Sequence, residues 1–258
     1  MLDRSANQEE HMRSVKTAFQ VLDAVADHQP VGLSELARRL GLPKATAQRS
    51  LAVLAEVGWI KQDGQDITRW VLSDRARIVA QRVGDHARLR DAALPSLARL
   101  HADTLETIHL TVPDDQDVVL VERLDSPHPV RAVRPIGTRL PLHASSTGKV
   151  ILAHMPEEEI RTYLAQNLSS PARHTKTDPE ALLVELKRVR ECGYAVAEEE
   201  AADGIASVAG AIRPDGQRAV AAMSISGPVS RIRPDIYQFY GEKVKAAAET
   251  VSRELASW

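Results

Sequence analysis

Ser146 and Lys149 stand three residues apart, in the Ser-x-x-Lys spacing with which some acylating enzymes place a nucleophile beside a lysine. The Lys-Thr-Gly and Ser-Asp-Asn triplets that accompany this short pattern in such enzymes are missing from the sequence. A serine enzyme that uses this pair is therefore kept as a minor alternative. The Gly148-Lys149 pair does not end a phosphate-binding P-loop, because His143 and Val150 replace the glycine and the Ser or Thr that such a loop needs.

The same segment offers small hydroxyl side chains that suit the binding of an anion. A Ser-Ser-Thr run at 145–147 opens a predicted helix, where unpaired backbone N–H groups attract a carboxylate or phosphate. Two serines alternate along a predicted strand at 219–226, so both hydroxyls point to one face. The alternative is that these serines are merely tolerated beside a packed helix. The predicted effector-binding residues are Ser145, Ser146, Thr147, Ser207, Ser224 and Ser226.

A second group of residues has the chemistry of DNA recognition. Between Arg38 and Arg49 the sequence has four basic residues and no acidic one. Arginine reads guanine, glutamine reads adenine and a threonine methyl contacts thymine, whereas a lysine at a helix start more often meets phosphate. A wing arginine reaches the DNA backbone or the minor groove. The predicted DNA-binding residues are Arg38, Lys44, Ala45, Thr46, Gln48, Arg49 and Arg69.

The elements that must position these DNA-binding residues form a winged helix-turn-helix. Apolar spacing predicts helices at 14–27, 34–40 and 44–57, with Ser14 and Ser34 as caps. The first helix is expected to bury one apolar stripe, which consists of Val15, Ala18, Phe19, Leu22, Val25 and Ala26. Gly41-Leu42-Pro43 makes the turn between the second and third helices. Two β-prone runs at 59–62 and 67–72 flank an Asp-Gly turn at 63–66 and predict a hairpin. The alternative is a winged helix that binds protein.

The rest of the chain predicts a mixture of helices and strands. An Arg-rich, loosely amphipathic segment at 73–89 is followed by a helix that Asp91 caps and that runs to His101. This mixture indicates an α+β domain with an antiparallel or mixed sheet. The predicted strands are 107–112, 117–124, 130–134, 194–197, 206–212 and 219–226, and the predicted helices are 148–154, one from 156, 178–193 and one from 234 to 256. Glu198-Glu199-Glu200 is most simply a solvated acidic patch.

Composition narrows the class of protein. The 258 residues carry a net charge of −2, with 26% charged and 43% hydrophobic residues, which is ordinary for a folded globular chain. One cysteine, Cys192, excludes an internal disulfide framework, and the scattered histidines predict no metal site and no cofactor. The polar N-terminus and the absence of a long apolar run predict a cytoplasmic protein that does not span a membrane.

Several motifs, in order along the chain, resemble the IclR-type family of transcriptional regulators. The resemblance covers residues from about 15 to 256 and rests on the segments 32–46, 141–149, 193–196, 204–209 and 224–228. It implies a winged helix-turn-helix domain, a GAF-like effector domain and a homodimer or dimer of dimers. It also implies a pocket formed by backbone N–H groups near Ser146 and Thr147 and by Ser207, Ser224 and Ser226.

Three positions depart from the family pattern. Ser207 stands where a cysteine is common, Ala197 where an acidic residue is common, and Ala45 where serine is frequent. The missing carboxylate at 197 removes one polar anchor from the expected pocket, so the effector can differ from that of relatives that retain it.

The resulting hypothesis is a ligand-responsive regulator and not an enzyme. We expect a winged helix-turn-helix DNA-binding domain at 1–73, a helical linker at 74–90 and a GAF-like antiparallel-sheet effector domain at 91–258. Its expected partners are double-stranded operator DNA, a small organic acid and further copies of itself, and the expected target is a catabolic operon. The first alternative is a sensor or scaffold whose winged helix binds protein.

Overall fold

The computed structural model describes residues 2–63, 68–80, 84–214, 216 and 218–257. The chain divides into two compact units, with the boundary after Gly84. Within the described residues, no helix is both long enough and apolar enough to cross a membrane.

The N-terminal unit contains helices and a small sheet around one apolar core. Its elements are α1 (Leu2–His28), β1 (Val31–Gly32), α2 (Leu33–Leu40), α3 (Lys44–Glu56), β2 (Ile60–Asp63), β3 (Arg69–Leu72) and α4 (Asp74–Ala80). The described strands pair antiparallel in the order β1-β3-β2. Gly41 adopts a left-handed conformation (φ 62°), and the Leu42 N–H bonds the Ala37 carbonyl, which ends α2 and turns the chain into α3. The predicted helix-turn-helix and hairpin strands are confirmed.

Four local predictions in this unit are wrong or lie beyond the described residues. α1 begins at Leu2, so Ser14 lies inside the helix, and α2 is capped by Gly32 rather than Ser34. The predicted stripe is buried only in part, because Val25 lies in the core and Leu22 packs against it, whereas Val15 and Phe19 are 57% and 60% exposed and Ala26 is also exposed. Val21 and Ala24 complete the buried face, so apolar spacing found the helix but only part of the face that packs. The short β1 was not predicted, and residues 64–66 of the predicted turn lie outside the described residues.

The C-terminal unit consists of helices and one large sheet. Its elements are α5 (Gly84–Thr104), β4 (Thr107–Asp114), β5 (Asp117–Leu124), β6 (Arg139–Pro141), α6 (Ser146–Leu152), α7 (Glu157–Leu164), α8 (Pro179–Cys192), β7 (Tyr194–Glu198), β8 (Ile205–Ile212), β9 (Ala221–Pro228), a 3-10 turn (Pro234–Ile236) and α9 (Tyr237–Ala256). The six described strands form one antiparallel sheet in the order β6-β5-β4-β9-β8-β7. The predicted α+β class is confirmed.

The alternating strands separate two apolar cores. Ile108, Leu110 and Ile225 face one core, which they share with apolar residues of α5 and α9. Ala209 and Ala222 face the other core, with α6, α7 and α8. Both faces of the sheet are therefore covered, and the hydroxyl side chains of β8 and β9 are enclosed beneath α6.

Two predictions in this unit need correction. Residues 130–134 form no strand but part of an irregular segment, where Val130 is 68% exposed, and the edge of β5 is instead paired by β6. A strand forms only where its backbone groups find hydrogen-bond partners on a neighbouring strand, and the alternation of residue types does not show whether such a neighbour exists. α5 begins at Gly84, so Asp91 lies within the helix and is not its cap.

Candidate DNA-binding surface and effector pocket

The first turns of α3 present polar side chains to solvent. Lys44, Ala45, Gln48 and Arg49 are exposed and Thr46 is half-buried, while the intervening positions face the core. The first turn of α3 contains no acidic residue. Its positive end and its basic side chains therefore favour contact with an anionic backbone.

The two other predicted DNA-binding residues lie on α2 and β3. Arg38 is exposed in the last turn of α2. Its neighbour Arg39 forms an ion pair with Glu35 at 2.8 Å, which lowers the pKa of that carboxyl below its ordinary value. Arg69 lies on the central strand β3, where its Nη1 donates to the Pro30 carbonyl at 3.0 Å.

The structure brings all six predicted effector residues to one cavity of about 40 Å³. The register of the sheet explains this convergence, because Ser207 lies directly opposite Ser226 and Ser224 lies opposite His109. The residues at the start of α6 close the cavity from above. The predicted residues that line it are Ser145, Ser146, Thr147, Ser207, Ser224 and Ser226.

Hydrogen bonds hold most of these hydroxyls in place. The Ser146 hydroxyl donates to Ser207 Oγ at 2.7 Å, and the hydroxyls of Ser224 and Ser226 lie 3.3 Å apart. Ser145 caps α6, since its Oγ accepts from the Gly148 N–H at 3.1 Å. Of these three contacts, the Ser146–Ser207 bond joins residues that are distant in sequence, and it ties α6 to β8.

Among the cavity residues that were not predicted, His109 and Arg134 are the two with titratable side chains. His109 on β4 is buried, and its Nε2 has no hydrogen-bond partner among the described residues. Burial, and then the positive charge of Arg134, lower the pKa of His109 to about 4, so the ring is neutral at pH 7. Arg134 donates to the Ala201 carbonyl at 3.0 Å from the irregular segment before β6. The alternation of Thr107, His109 and Thr111 was the available signal, because it places His109 on the same face as two other polar residues.

The Ser146–Lys149 alternative is inconsistent with this geometry. Lys149 is fully buried, and its ammonium donates to Glu200 at 2.6 Å, to Glu185 at 2.8 Å and to the Val196 carbonyl at 3.4 Å. All three N–H donors are thus engaged, and no lone pair is left to accept a proton from Ser146. Glu200 is buried in this ion pair, so the prediction of a solvated acidic patch is wrong for that residue.

This unit has larger clefts elsewhere, but the predicted effector-binding residues do not line them. One of about 780 Å³ lies between α9 and the end of β8, and another of about 480 Å³ lies beside α8 and β7. Neither is lined by any of the six predicted hydroxyl residues. Among the described residues, no group of three or more His, Cys, Asp or Glu side chains is placed to hold a metal ion.

Comparison with known proteins gives matches over almost the whole chain. Residues 14–64 match the IclR helix-turn-helix domain, and residues 81–253 match the bacterial transcriptional regulator IclR C-terminal domain. The chain is 31% identical over 245 residues to the transcriptional repressor IclR of Escherichia coli K12, covering 93% of this chain and 89% of that protein.

Two crystal structures are similar along the whole length. The Thermotoga maritima IclR has a TM-score of 0.77 at 30% identity, with 95% of this chain and 100% of that chain covered. An IclR homologue from Microbacterium hydrocarbonoxydans, solved with 4-hydroxybenzoate, has a TM-score of 0.76 at 28% identity and the same coverage.

Proposed function

Since this chain belongs to the IclR family of bacterial transcriptional regulators, we propose that it controls a catabolic operon as a homo-oligomer in response to a small organic acid. It is a DNA-binding regulator with an effector-binding domain, and members of its family are regulators rather than enzymes. The observation that carries the effector part of the proposal is the convergence of six hydroxyl residues, a buried histidine and an arginine on one small cavity.

The proposed DNA contacts lie on α3, its neighbour α2 and the wing. Exposed Arg49 and Gln48 are in the part of a recognition helix that reads base edges, and Thr46 offers a methyl group to thymine. Lys44 and Arg38 are assigned to phosphates, Ala45 to close contact with the groove, and Arg69 to the backbone or minor groove. The domain limits that go with this proposal are 1–73, 74–90 and 91–258.

The effector is proposed to bind at the start of α6. A carboxylate there would meet hydroxyl donors of the cavity and the charge of Arg134. The Microbacterium homologue solved with 4-hydroxybenzoate supports an organic acid as the class of ligand. An effector acts on DNA binding only through its different affinities for the two states of the protein.

Self-association is supported by an unpaired apolar stripe on α1. Met12, Val15 and Phe19 recur at helical spacing and are largely exposed in the single chain. A second copy that covers this stripe would pair two recognition helices for a pseudo-palindromic site. Sedimentation of the full chain should therefore show a dimer or tetramer.

The test is fluorescence anisotropy of the full chain with DNA fragments that flank its own gene, measured across a salt series. We expect tight binding to one fragment and a logarithmic affinity that falls linearly with the logarithm of salt concentration. Candidate acids are then screened for a change in affinity for that fragment. Equal, weak binding to every fragment, without salt dependence, would favour the alternative of a winged helix that binds protein.

A further inference from the structure

The effector cavity has two chemically different sides with His109 between them. In the order β5-β4-β9-β8, the serines of β9 and β8 lie to one side of β4 and the apolar residues of β5 to the other. The apolar side is formed by Val118, Leu120 and Leu140. A ligand that fills the cavity therefore contacts serines at one end and apolar side chains at the other, and it lies beside the His109 ring in between.

His109 is the unsatisfied group of this cavity. The nearby hydroxyls are paired with one another, Ser146 with Ser207 and Ser224 with Ser226. The Nε2 of His109 has no partner among the described residues, although the side chain is more than nine-tenths buried. A buried polar atom without a partner costs free energy, which a ligand recovers by supplying the missing hydrogen bond.

Arg134 provides the charge on the same cavity. Its guanidinium has five N–H donors, of which one bonds the Ala201 carbonyl. It lies close enough to His109 to be the second cause of the lowered pKa of that ring. A guanidinium binds carboxylates and phosphates through paired N–H donors, and of the two a carboxylate is the smaller group.

The volume of the cavity restricts the size of the ligand. One water needs about 10–15 Å³ of such space, so 40 Å³ holds about three groups of that size. This matches a short-chain acid and leaves no room for an aromatic ring in the conformation described.

We propose, on the basis of the function proposed above, that His109 selects a short hydroxylated carboxylic acid as effector, with the carboxylate on Arg134 and the hydroxyl on His109 Nε2. A hydroxyl serves the neutral ring in either tautomer, because it donates and accepts, whereas a keto oxygen only accepts. The same hydroxyl can also bond the serine that faces His109 across the strand pair, Ser224.

The test is isothermal titration of the full chain with three matched probes, which are propanoate, 2-hydroxypropanoate and 3-hydroxypropanoate. We expect one of the hydroxy acids to bind at least about ten-fold more tightly than propanoate, because a site built for a hydroxyl leaves its own polar group unpaired with the plain acid. Which of the two hydroxy acids binds more tightly tells whether the hydroxyl lies on the second or the third carbon.

Two variants assign the preference to His109. His109→Leu should bind the preferred hydroxy acid no more tightly than propanoate, and His109→Gln, which keeps a hydrogen-bonding group, should retain part of the preference. Circular dichroism melting of each variant checks that it is folded. Equal binding of all three acids by the wild type, absence of binding, or an unchanged preference in His109→Leu would each overturn the inference.

These outcomes are distinct from a failure of the proposed regulatory function. Operator binding is measured by anisotropy without any acid, and it depends on the N-terminal unit. If operator binding is specific and the hydroxyl preference is missing, only the inference about His109 fails. If operator binding is missing and the preference is present, only the regulatory proposal fails.

Discussion

At the scale of the residue, Lys149 is a buried charge whose loss is expected to destabilise the C-terminal unit. Removal of its ammonium leaves two carboxylates, Glu185 and Glu200, without their buried partner. We expect Lys149→Met to lower the free energy of unfolding by about 3–5 kcal/mol. Urea denaturation followed by circular dichroism measures this, with Lys243→Met as the control, since its pair with Asp103 is near the surface and is worth at most about 1 kcal/mol. Similar losses in both variants would contradict the prediction.

His109 should make stability depend on pH. Its pKa is about 4 in the folded chain and about 6.5 when unfolded, so the unfolded state takes up the proton first as the pH falls. The neutral ring therefore makes its full contribution to the free energy of unfolding above pH 6.5. This contribution is lost as the pH falls from 6.5 to 4. From pH 7 to 4.5, the wild type should lose about 2 kcal/mol more unfolding free energy than His109→Gln. A pH dependence of His109→Gln equal to that of the wild type would contradict the prediction.

Two residues of α3 are expected to contribute differently to DNA binding. Arg49→Ala should weaken binding to the operator by about 1–3 kcal/mol and leave non-specific binding almost unchanged. Lys44→Ala should weaken binding to all sequences alike and reduce the salt slope by about one. Anisotropy with operator and scrambled DNA separates the two, and Arg173→Ala on the C-terminal unit is the control. An equal loss on all sequences for Arg49→Ala would make that residue a phosphate contact.

At the scale of elements, close backbone approach fixes how helices pack on the sheet. A Cβ at Gly148 would lie 2.4 Å from the Leu142 carbonyl oxygen, which belongs to the backbone and not to the end of a flexible side chain. Helix propensity alone would make alanine about 1 kcal/mol better than glycine here. A similar restriction holds α9 near β8, since a Cβ at Gly210 would lie 2.9 Å from the Val244 carbonyl oxygen. Glycine at these positions is therefore a requirement of packing.

Gly148→Ala is expected to destabilise the chain in spite of its better helix propensity. The clash should cost at least about 2 kcal/mol of unfolding free energy and displace the first turn of α6 from the effector cavity. Chemical denaturation measures the first effect and titration with the preferred acid the second. Gly32→Ala is the control, because nothing lies within 4 Å of its added Cβ and its cost should stay below about 1 kcal/mol. A neutral Gly148→Ala would show that the turn at Leu142 moves easily.

At the scale of the whole molecule, recognition of DNA and of the effector belong to different compact units. Each unit has its own apolar core, one around Leu36 and Leu51 and the others on the two faces of the large sheet. A substitution confined to the effector cavity should therefore change the response of operator affinity to the effector, and not the operator affinity measured without it.

Ser224→Leu tests this separation. The larger apolar side chain fills the cavity, so the acid that changes operator affinity in the wild type should have no effect on the variant. Operator affinity without acid should stay within about three-fold, a difference of less than 1 kcal/mol. Anisotropy with and without the acid measures both, and a melting curve verifies the fold. A variant that still responds to the acid would place the effector site elsewhere.

Local signals in the sequence determined most of the elements and the class of fold. Gly41 and Pro43 marked the turn before the recognition helix, and Asp178, Pro179 and Gly193 marked both ends of α8. These signals act within a few residues of the chain, through caps, backbone conformations and the period of the apolar residues. The alternating serines of β9 were likewise assigned to a common face from sequence alone.

Only the tertiary structure decided which distant residues meet. Spacing found the helix α1 but wrongly placed Val15 and Phe19 on its buried face, and it could not pair Lys149 with Glu200, 51 residues away. His109 and Arg134 joined the cavity because of the strand register and the course of the segment before β6, which no local pattern contains. The physical reason is that periodicity states which side of an element is apolar, whereas its partners depend on the packing and hydrogen bonding of the entire sheet.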